Sequence, residues 1–85
     1  METDNLESFL VLAEELNFHR AAERLHMSQP SLTRQMQGLE LICGTKLLDR
    51  NARTVSLTSA GEALRRDAPA LLASVKQMIS HTRHS

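Results

Sequence analysis

A tight turn between two short amphipathic segments limits the folds open to this chain more than any other feature. The turn is Leu25-His26-Met27-Ser28. Apolar residues recur at helical spacing before it, over about 18–25, and again after it as far as Gly44. His26 tolerates the positive φ that such a turn needs, and Ser28 is a good N-cap for the second helix. This pattern predicts a helix-turn-helix, whose second helix normally enters the major groove of DNA.

The segment before this unit predicts another helix, over about 5–16. Its inward-facing residues are expected to be Leu6, Phe9, Leu10, Ala13 and Leu16. Asn17 is a reasonable end for that helix and can cap the next one.

The segment after the unit predicts a small hairpin and then a long helix. Lys46–Arg50 and Thr54–Thr58 are short extended candidates, which must pack on the helices because two strands alone are marginal. The last helix starts at Thr58 or Ser59, where Ser59-Ala60-Gly61-Glu62 matches a capping box. Pro69 lies inside this helix and is expected to kink it.

An apolar heptad seam runs along the last helix and predicts a dimer. Its members step alternately by four and three residues: Leu64, Ala68, Leu71, Val75, Met78 and Thr82. With 85 residues and one cysteine, the chain forms a single small domain without an internal disulfide. Burial of the seam against a second copy would supply missing stability. The alternative is that the seam packs wholly on the first helix of its own chain.

The charge distribution is uneven although the net charge is zero. Residues 1–15 hold five acids and no base, so residues 16–85 hold ten bases against five acids. A basic body suits an anionic partner, and chance asymmetry is the alternative explanation. The two phenylalanines lie at core spacings, which leaves none for stacking on unpaired bases.

One face of the third helix has the chemistry of base readout. Leu32, Met36, Leu39 and Cys43 cluster on one side of a helical wheel. The rest of the surface carries Gln29 at the tip, Ser31 and Thr33 on the flanks, and Pro30, Arg34, Gln37, Gly38 and Leu41 opposite the apolar side. Arg pairs with guanine O6 and N7, Gln pairs with adenine N6 and N7, and proline can touch a thymine methyl. Each residue alone is ordinary on a surface, so the prediction depends on their joint placement.

The order of these motifs resembles the DNA-binding domain of the LysR-type transcriptional regulators. The resemblance is carried by AAERLHMSQPSLTRQMQGLE followed by GTKLLDRNARTVSLTSAGE, and it covers about residues 5–65, while residues 66–85 fit the family's linker helix. It implies a mainly α fold: a winged helix-turn-helix domain over 1–58, with three helices and a short β-hairpin wing, then a linker and dimerisation helix over 59–85. It also implies a cytoplasmic, nucleoid-associated homodimer on double-stranded DNA, and a tetramer for a full-length protein.

The same resemblance assigns roles to individual residues. Gln29, Pro30 and Arg34, with Ser31 and Gln37 beside them, would face the major groove. Ser28, Ser31 and Thr33, with Arg20 and Arg50, would lie near phosphates. Arg53, at the wing tip, would enter the minor groove. Leu64, Ala68, Leu71, Val75 and Met78 would form the dimer interface.

Three departures from the family pattern stand out. Leu41-Ile42-Cys43 replaces what is often an acidic run followed by leucine, so Cys43 is expected in the core and Leu41 on the surface. Gly38 replaces a longer side chain. The family's C-terminal effector-binding domain does not follow Ser85, so we expect a fragment rather than a natural truncation, and a small-molecule effector would bind only through that further domain.

Two other classes of function compete with DNA binding. An enzyme or metal site finds little support, because His19, His26 and Cys43 have no catalytic or metal-ligand spacing, and His81 with His84 offers only two ligands. No cofactor and no membrane partner is expected. A coiled-coil dimerisation module without a DNA role explains residues 59–83 but not the groove-like face of the third helix.

Overall fold

The computed structural model describes residues 3–51 and 54–84 and confirms the predicted mainly α architecture. Its elements, in chain order, are α1 (Thr3–Glu15), α2 (Phe18–Arg24), α3 (Gln29–Cys43), β1 (Leu48–Asn51), β2 (Thr54–Leu57) and α4 (Ser59–His84). The two strands pair antiparallel, with Leu48 opposite Leu57 and Asn51 opposite Thr54. The hairpin and the long final helix are therefore where the sequence pattern predicts them.

The helix ends follow local signals in the sequence. The side chain of Asn17 accepts the backbone N–H three residues on at 2.9 Å, and the hydroxyl of Ser28 does the same at 3.2 Å. His26 has φ of 55°, as the tight turn requires, and Gly44 ends α3 in the left-handed conformation at φ of 72°. Pro30 lies in the first turn of α3, where its missing N–H costs nothing.

The start of α4 differs from the predicted capping box. The hydroxyl of Thr58 accepts the N–H of Gly61 at 3.0 Å and donates to the carbonyl of Lys46 at 2.6 Å. Thr58 is therefore the N-cap, and the box predicted from Ser59 to Glu62 is wrong. The capping side chain is also bonded to the segment before β1, which fixes α4 against the wing.

One core joins all the helices and the base of the wing. Its largest fully buried side chains are Phe9, Leu12, Leu32 and Leu47. Ala68 is fully buried and Leu72 is 7 % exposed, so the first half of α4 belongs to this core. The structure thus supports, for these residues, the alternative that α4 packs on its own chain.

Two residues predicted to face inward do not. Leu16 has φ of 49°, which ends α1 at Glu15 and leaves Leu16 44 % exposed. Leu12, one turn earlier, fills the core in its place. Cys43 is exposed because the last turn of α3 extends beyond the core, while Leu41 is on the surface as predicted, at 83 % exposure.

None of the helices within the described residues is long and apolar enough to cross a bilayer.

Candidate nucleic-acid interface

The first two turns of α3 present a polar surface above a buried apolar one. Leu32, Met36 and Leu39 are buried, whereas Gln29, Pro30, Arg34 and Gln37 are exposed. Ser31 and Thr33 lie at the edges and are partly buried. The face predicted from helical periodicity is therefore open to a partner.

Hydroxyl groups at the start of α3 hold the side chain of Arg34. Ser28 donates its hydroxyl to Ser31 Oγ at 2.9 Å, and Arg34 Nη2 donates to the same oxygen at 3.4 Å. The contact draws the guanidinium towards the N-terminal end of α3, where the helix dipole favours anions. Arg34 thus lies beside the hydroxyls that were predicted to approach phosphate.

Gln29 at the tip of α3 contacts the preceding helix. Its Nε2 lies 3.3 Å from Nδ1 of His19, and Nε2 of His19 lies 3.5 Å from a carboxylate oxygen of Glu23. The sequence did not indicate this contact, because it depends on the angle at which α2 and α3 meet.

Arg50 on the wing is held by an aromatic ring. Its guanidinium carbon lies 4.0 Å from the centre of the Phe18 ring, a cation–π contact that restrains a long side chain. Arg50 also borders a small depression of about 80 Å³ with Thr33, Gln37 and Lys46. The structure therefore brings the wing cation next to the exposed face of α3.

The described bases differ in whether an acid lies within ion-pair distance. Among the bases whose side chains the structure describes, four lie within 4 Å of an acid elsewhere in the fold: Arg20, Arg24, Lys46 and Lys76. Two more, Arg65 and Arg66, pair with neighbouring acids on α4. Arg34 and Arg50 form no such pair. The two cations left without an acid are both on the predicted DNA face, which keeps their charge available to an anion.

The acids of α1 pair with two arginines of α2. Arg24 Nη1 donates to Glu14 at 2.8 Å and to Glu15 at 3.0 Å, and these hydrogen bonds raise the pKa of Arg24 above its usual range. Arg20, predicted to lie near a phosphate, has its Nε 3.6 Å from Glu15. Its side chain is 65 % exposed, so it shares its charge between α1 and solvent.

Glu40 links α3 to the wing, a role that sequence reasoning missed. Its Oε2 accepts the backbone N–H groups of Leu47 at 2.8 Å and Leu48 at 3.2 Å. Its side chain is only 13 % exposed, and Lys46 Nζ lies 3.7 Å from the other oxygen. This carboxylate satisfies two donors at the entry to β1 and so sets the wing relative to α3.

The structure does not bring every predicted residue to the interface. Arg53, the predicted minor-groove residue, lies outside the described residues. A side chain at Gly38 would meet only Asn5 Nδ2, at 4.0 Å, so nothing in the described chain demands glycine there. Among the side chains that the structure describes, at residues 4–50 and 54–80, no three of His, Cys, Asp or Glu come together as a metal site would require.

The dimer seam is divided between the core and the surface. Ala68 has no surface left for a partner, because it is fully buried in its own chain, and Leu64 packs partly against the same core. Leu71 is 49 % exposed, Val75 is partly buried and Met78 is 64 % exposed. The exposed part of the predicted seam, here called the outward part of α4, therefore begins at Leu71.

Comparisons with known proteins agree with this geometry. Residues 3–62 match the family model described as a bacterial regulatory helix-turn-helix protein of the lysR family. The chain is 51 % identical over 72 residues to the Hca operon transcriptional activator HcaR of Escherichia coli K12. The aligned region covers 85 % of this chain and 24 % of that protein. Other curated relatives are also matched over only a quarter to a third of their length (24–34 %).

Solved structures show the same fold in complexes with DNA. The DNA-binding domain of CbnR in complex with DNA superimposes with a TM-score of 0.85 at 43 % identity, covering 99 % of this chain and 97 % of that one. DarR of Vibrio fischeri, also in complex with DNA, gives 0.86 at 36 % identity over 99 % of this chain and 29 % of that one. Because the family model matches most of this chain, the chain belongs to the LysR family of bacterial regulatory helix-turn-helix proteins.

Proposed function

We propose that the chain is the DNA-binding part of a transcriptional regulator and binds a specific double-stranded DNA sequence as a homodimer. The observation that carries this proposal is the pair of unpaired cations, Arg34 and Arg50, beside the exposed face of α3. Related domains described as complexes with DNA share the fold and more than a third of the sequence.

The roles of the α3 residues follow from their positions. Gln29, Pro30 and Arg34, with Ser31 and Gln37, would face base edges in the major groove. Ser28 and Thr33 would donate to phosphates at the start of the helix, aided by its dipole. These hydroxyls position the helix, whereas Gln29 and Arg34 carry the sequence information.

The wing supplies the second set of phosphate contacts. Arg50 would bind a phosphate from its position over Phe18, and Arg20 would do so from the start of α2. Arg53 would enter the minor groove, where the negative potential attracts arginine.

Replacing Arg34 with alanine should reduce sequence discrimination. The lost bidentate contact is expected to lower the free-energy difference between the preferred and a substituted base pair by about 1–3 kcal/mol. The measurement is binding to duplexes selected from a random pool, compared with duplexes changed at one base pair. Arg66→Ala removes an exposed, ion-paired arginine on α4 as a control. If Arg34→Ala weakened all sequences equally, Arg34 would be a phosphate contact instead.

The dimer would form through the outward part of α4. Leu71, Val75 and Met78 lie on one stripe that continues beyond the monomer's core, and Ile79 beside it is 46 % exposed. Such a stripe on a helix is most economically buried against a second copy. In a full-length protein the resemblance implies a tetramer.

Charges on this stripe should produce monomers. Leu71→Asp with Met78→Asp would place two carboxylates in the paired interface, so the dimer should dissociate at micromolar protein concentration. Sedimentation velocity measures the change. Ala73→Asp with Ser80→Asp adds the same charge to exposed positions on the opposite side of α4 and should leave the dimer intact. Unchanged sedimentation of the Leu71 and Met78 variant would refute the interface.

Catalysis is not part of the proposed function. The relatives are described as transcriptional regulators. A cytoplasmic location beside the DNA is part of the proposal. A dimerisation module without a DNA role leaves the cations of the α3 face unexplained.

A small-molecule effector would act through a further domain, as in a regulator several times longer than this chain.

A further inference from the structure

The contact between Gln29 and α2 bears on which base Gln29 reads. Gln29 is the first residue of α3, and its amide nitrogen lies 3.3 Å from Nδ1 of His19, the second residue of α2. The His19 side chain is 67 % exposed and does not fill the core. The contacts that the structure gives for its ring are polar, with Gln29 and Glu23.

Glu23 lies beside the other ring nitrogen of His19. The carboxylate can only accept, and it lies 3.5 Å from Nε2 of His19, one helical turn along α2. In the tautomer with its proton on Nε2, the ring donates towards Glu23 and Nδ1 presents a lone pair. A single tautomer satisfies both contacts, with the amide N–H of Gln29 donating to Nδ1.

An amide held by its nitrogen has a fixed polarity. The two orientations of a glutamine amide differ by a half-turn and exchange donor and acceptor at little intrinsic cost. With the nitrogen of Gln29 bound to His19, its carbonyl oxygen is left for another donor, and one N–H remains. In the major groove, adenine and cytosine present amino groups (N6 and N4) that can donate to this oxygen, whereas guanine and thymine present carbonyl oxygens.

We infer that the Glu23–His19 pair is a specificity-determining device that holds the Gln29 amide so that it reads an amino-bearing base, adenine above all. Adenine satisfies both groups of this amide, since N6 donates to its oxygen and N7 accepts its N–H. His19 is thus a positioning residue for Gln29. The inference rests on the proposed DNA-binding function and names the base class read at one position.

The test first locates the base pair that Gln29 reads. The wild-type domain is selected against a random duplex pool, and Gln29→Ala identifies the position at which preference is lost. Four duplexes that differ only at that base pair are then titrated with the wild type. We expect preference for the amino-bearing bases over guanine and thymine by about five- to tenfold.

Two variants of His19 then test whether the Nδ1 acceptor or the shape of the ring matters. His19→Phe keeps the ring but removes the nitrogen, and the preference should fall to about twofold or less because the amide can rotate. His19→Asn places a carbonyl oxygen at the same distance along the side chain as Nδ1, and it should restore most of the preference. Preference at the base pair read by Arg34 should stay unchanged in both variants, a readout that also reports correct folding.

The outcomes distinguish this inference from the proposed function. If the wild type does not discriminate between duplexes at all, the proposed function fails. If it discriminates but His19→Phe keeps the full preference, or the wild type prefers guanine or thymine at this position, the inference is overturned while DNA binding stands. Equal loss in His19→Phe and His19→Asn would likewise overturn it, because the acceptor would then be irrelevant.

Discussion

Gly61→Ala is expected to destabilise the domain by about 3 kcal/mol, at the upper end of what overpacking of a core costs. Gly61 is buried in the first turn of α4. A Cβ atom built there would overlap the carbonyl oxygen of Leu47, and it would lie 3.3 Å from the Cβ of Leu57. Neither neighbour can give way easily, since the Leu47 oxygen is backbone and accepts the N–H of Thr58 at 3.1 Å.

Thermal unfolding at one fixed protein concentration measures this effect, since the proposed dimerisation would make the melting temperature concentration-dependent. A loss of that size corresponds to a fall in Tm of about 15 °C for a domain of this length. Gly38→Ala is the matched control, because its added Cβ meets only an atom at 4.0 Å. It should stabilise the domain by about 0.5–1 kcal/mol, since alanine is the better helix former. A Gly61→Ala protein with wild-type Tm would show that α4 does not pack on the wing as described.

Glu40→Ala should cost a similar amount for a different reason. It leaves the N–H groups of Leu47 and Leu48 without their acceptor in a partly buried place. Each unsatisfied donor costs about 1–3 kcal/mol, so we expect a total near 3 kcal/mol after some access of water. The wing should also lose its fixed position relative to α3, which would weaken DNA binding by any protein that remains folded.

Urea unfolding separates this effect from loss of charge. The transition midpoint should fall for Glu40→Ala while the slope stays close to wild type. Lys46→Ala removes the cation that lies 3.7 Å from the same carboxylate but is 81 % exposed. Its cost should stay below about 1 kcal/mol, as for other exposed ion pairs. Equal midpoints for the two variants would mean that the backbone hydrogen bonds of Glu40 contribute little.

Features set by local backbone chemistry could be predicted from the sequence. Asn17, Ser28, His26 and Gly44 each act within a few residues of themselves, so capping and φ preferences were enough. The exposed face of α3 followed from helical periodicity alone. The predicted roles of its residues in DNA binding stay predictions.

Features set by contacts between distant elements could not be predicted. Ala68 and Leu71 look alike in a heptad pattern, yet one is fully buried in its own chain and the other is half exposed. Thr58 rather than Ser59 caps α4, and its hydroxyl also donates to the carbonyl of Lys46, twelve residues away. In the sequence Gly61 looks like an ordinary helix residue, and only the folded chain brings the Leu47 carbonyl beside it.

The candidate site shows the same division. Arg34 and Gln29 were identified from their side-chain chemistry and their position on α3. Their neighbours were not, because the restraint of Gln29 by His19 and of Arg50 by Phe18 depends on how α2 meets α3 and the wing. Such contacts decide how a residue type is oriented, and a pattern of residue types does not contain that information.

The most direct test of the central claim is the salt dependence of binding to a duplex selected from a random pool. We predict that the logarithm of the binding constant falls linearly with the logarithm of salt concentration, and that Arg50→Gln lowers the slope by about 0.9, one phosphate contact. A scrambled duplex of the same length should bind more weakly at every salt concentration. If the selected and scrambled duplexes bound equally, or neither bound at low salt, the chain would not be a sequence-specific DNA-binding domain.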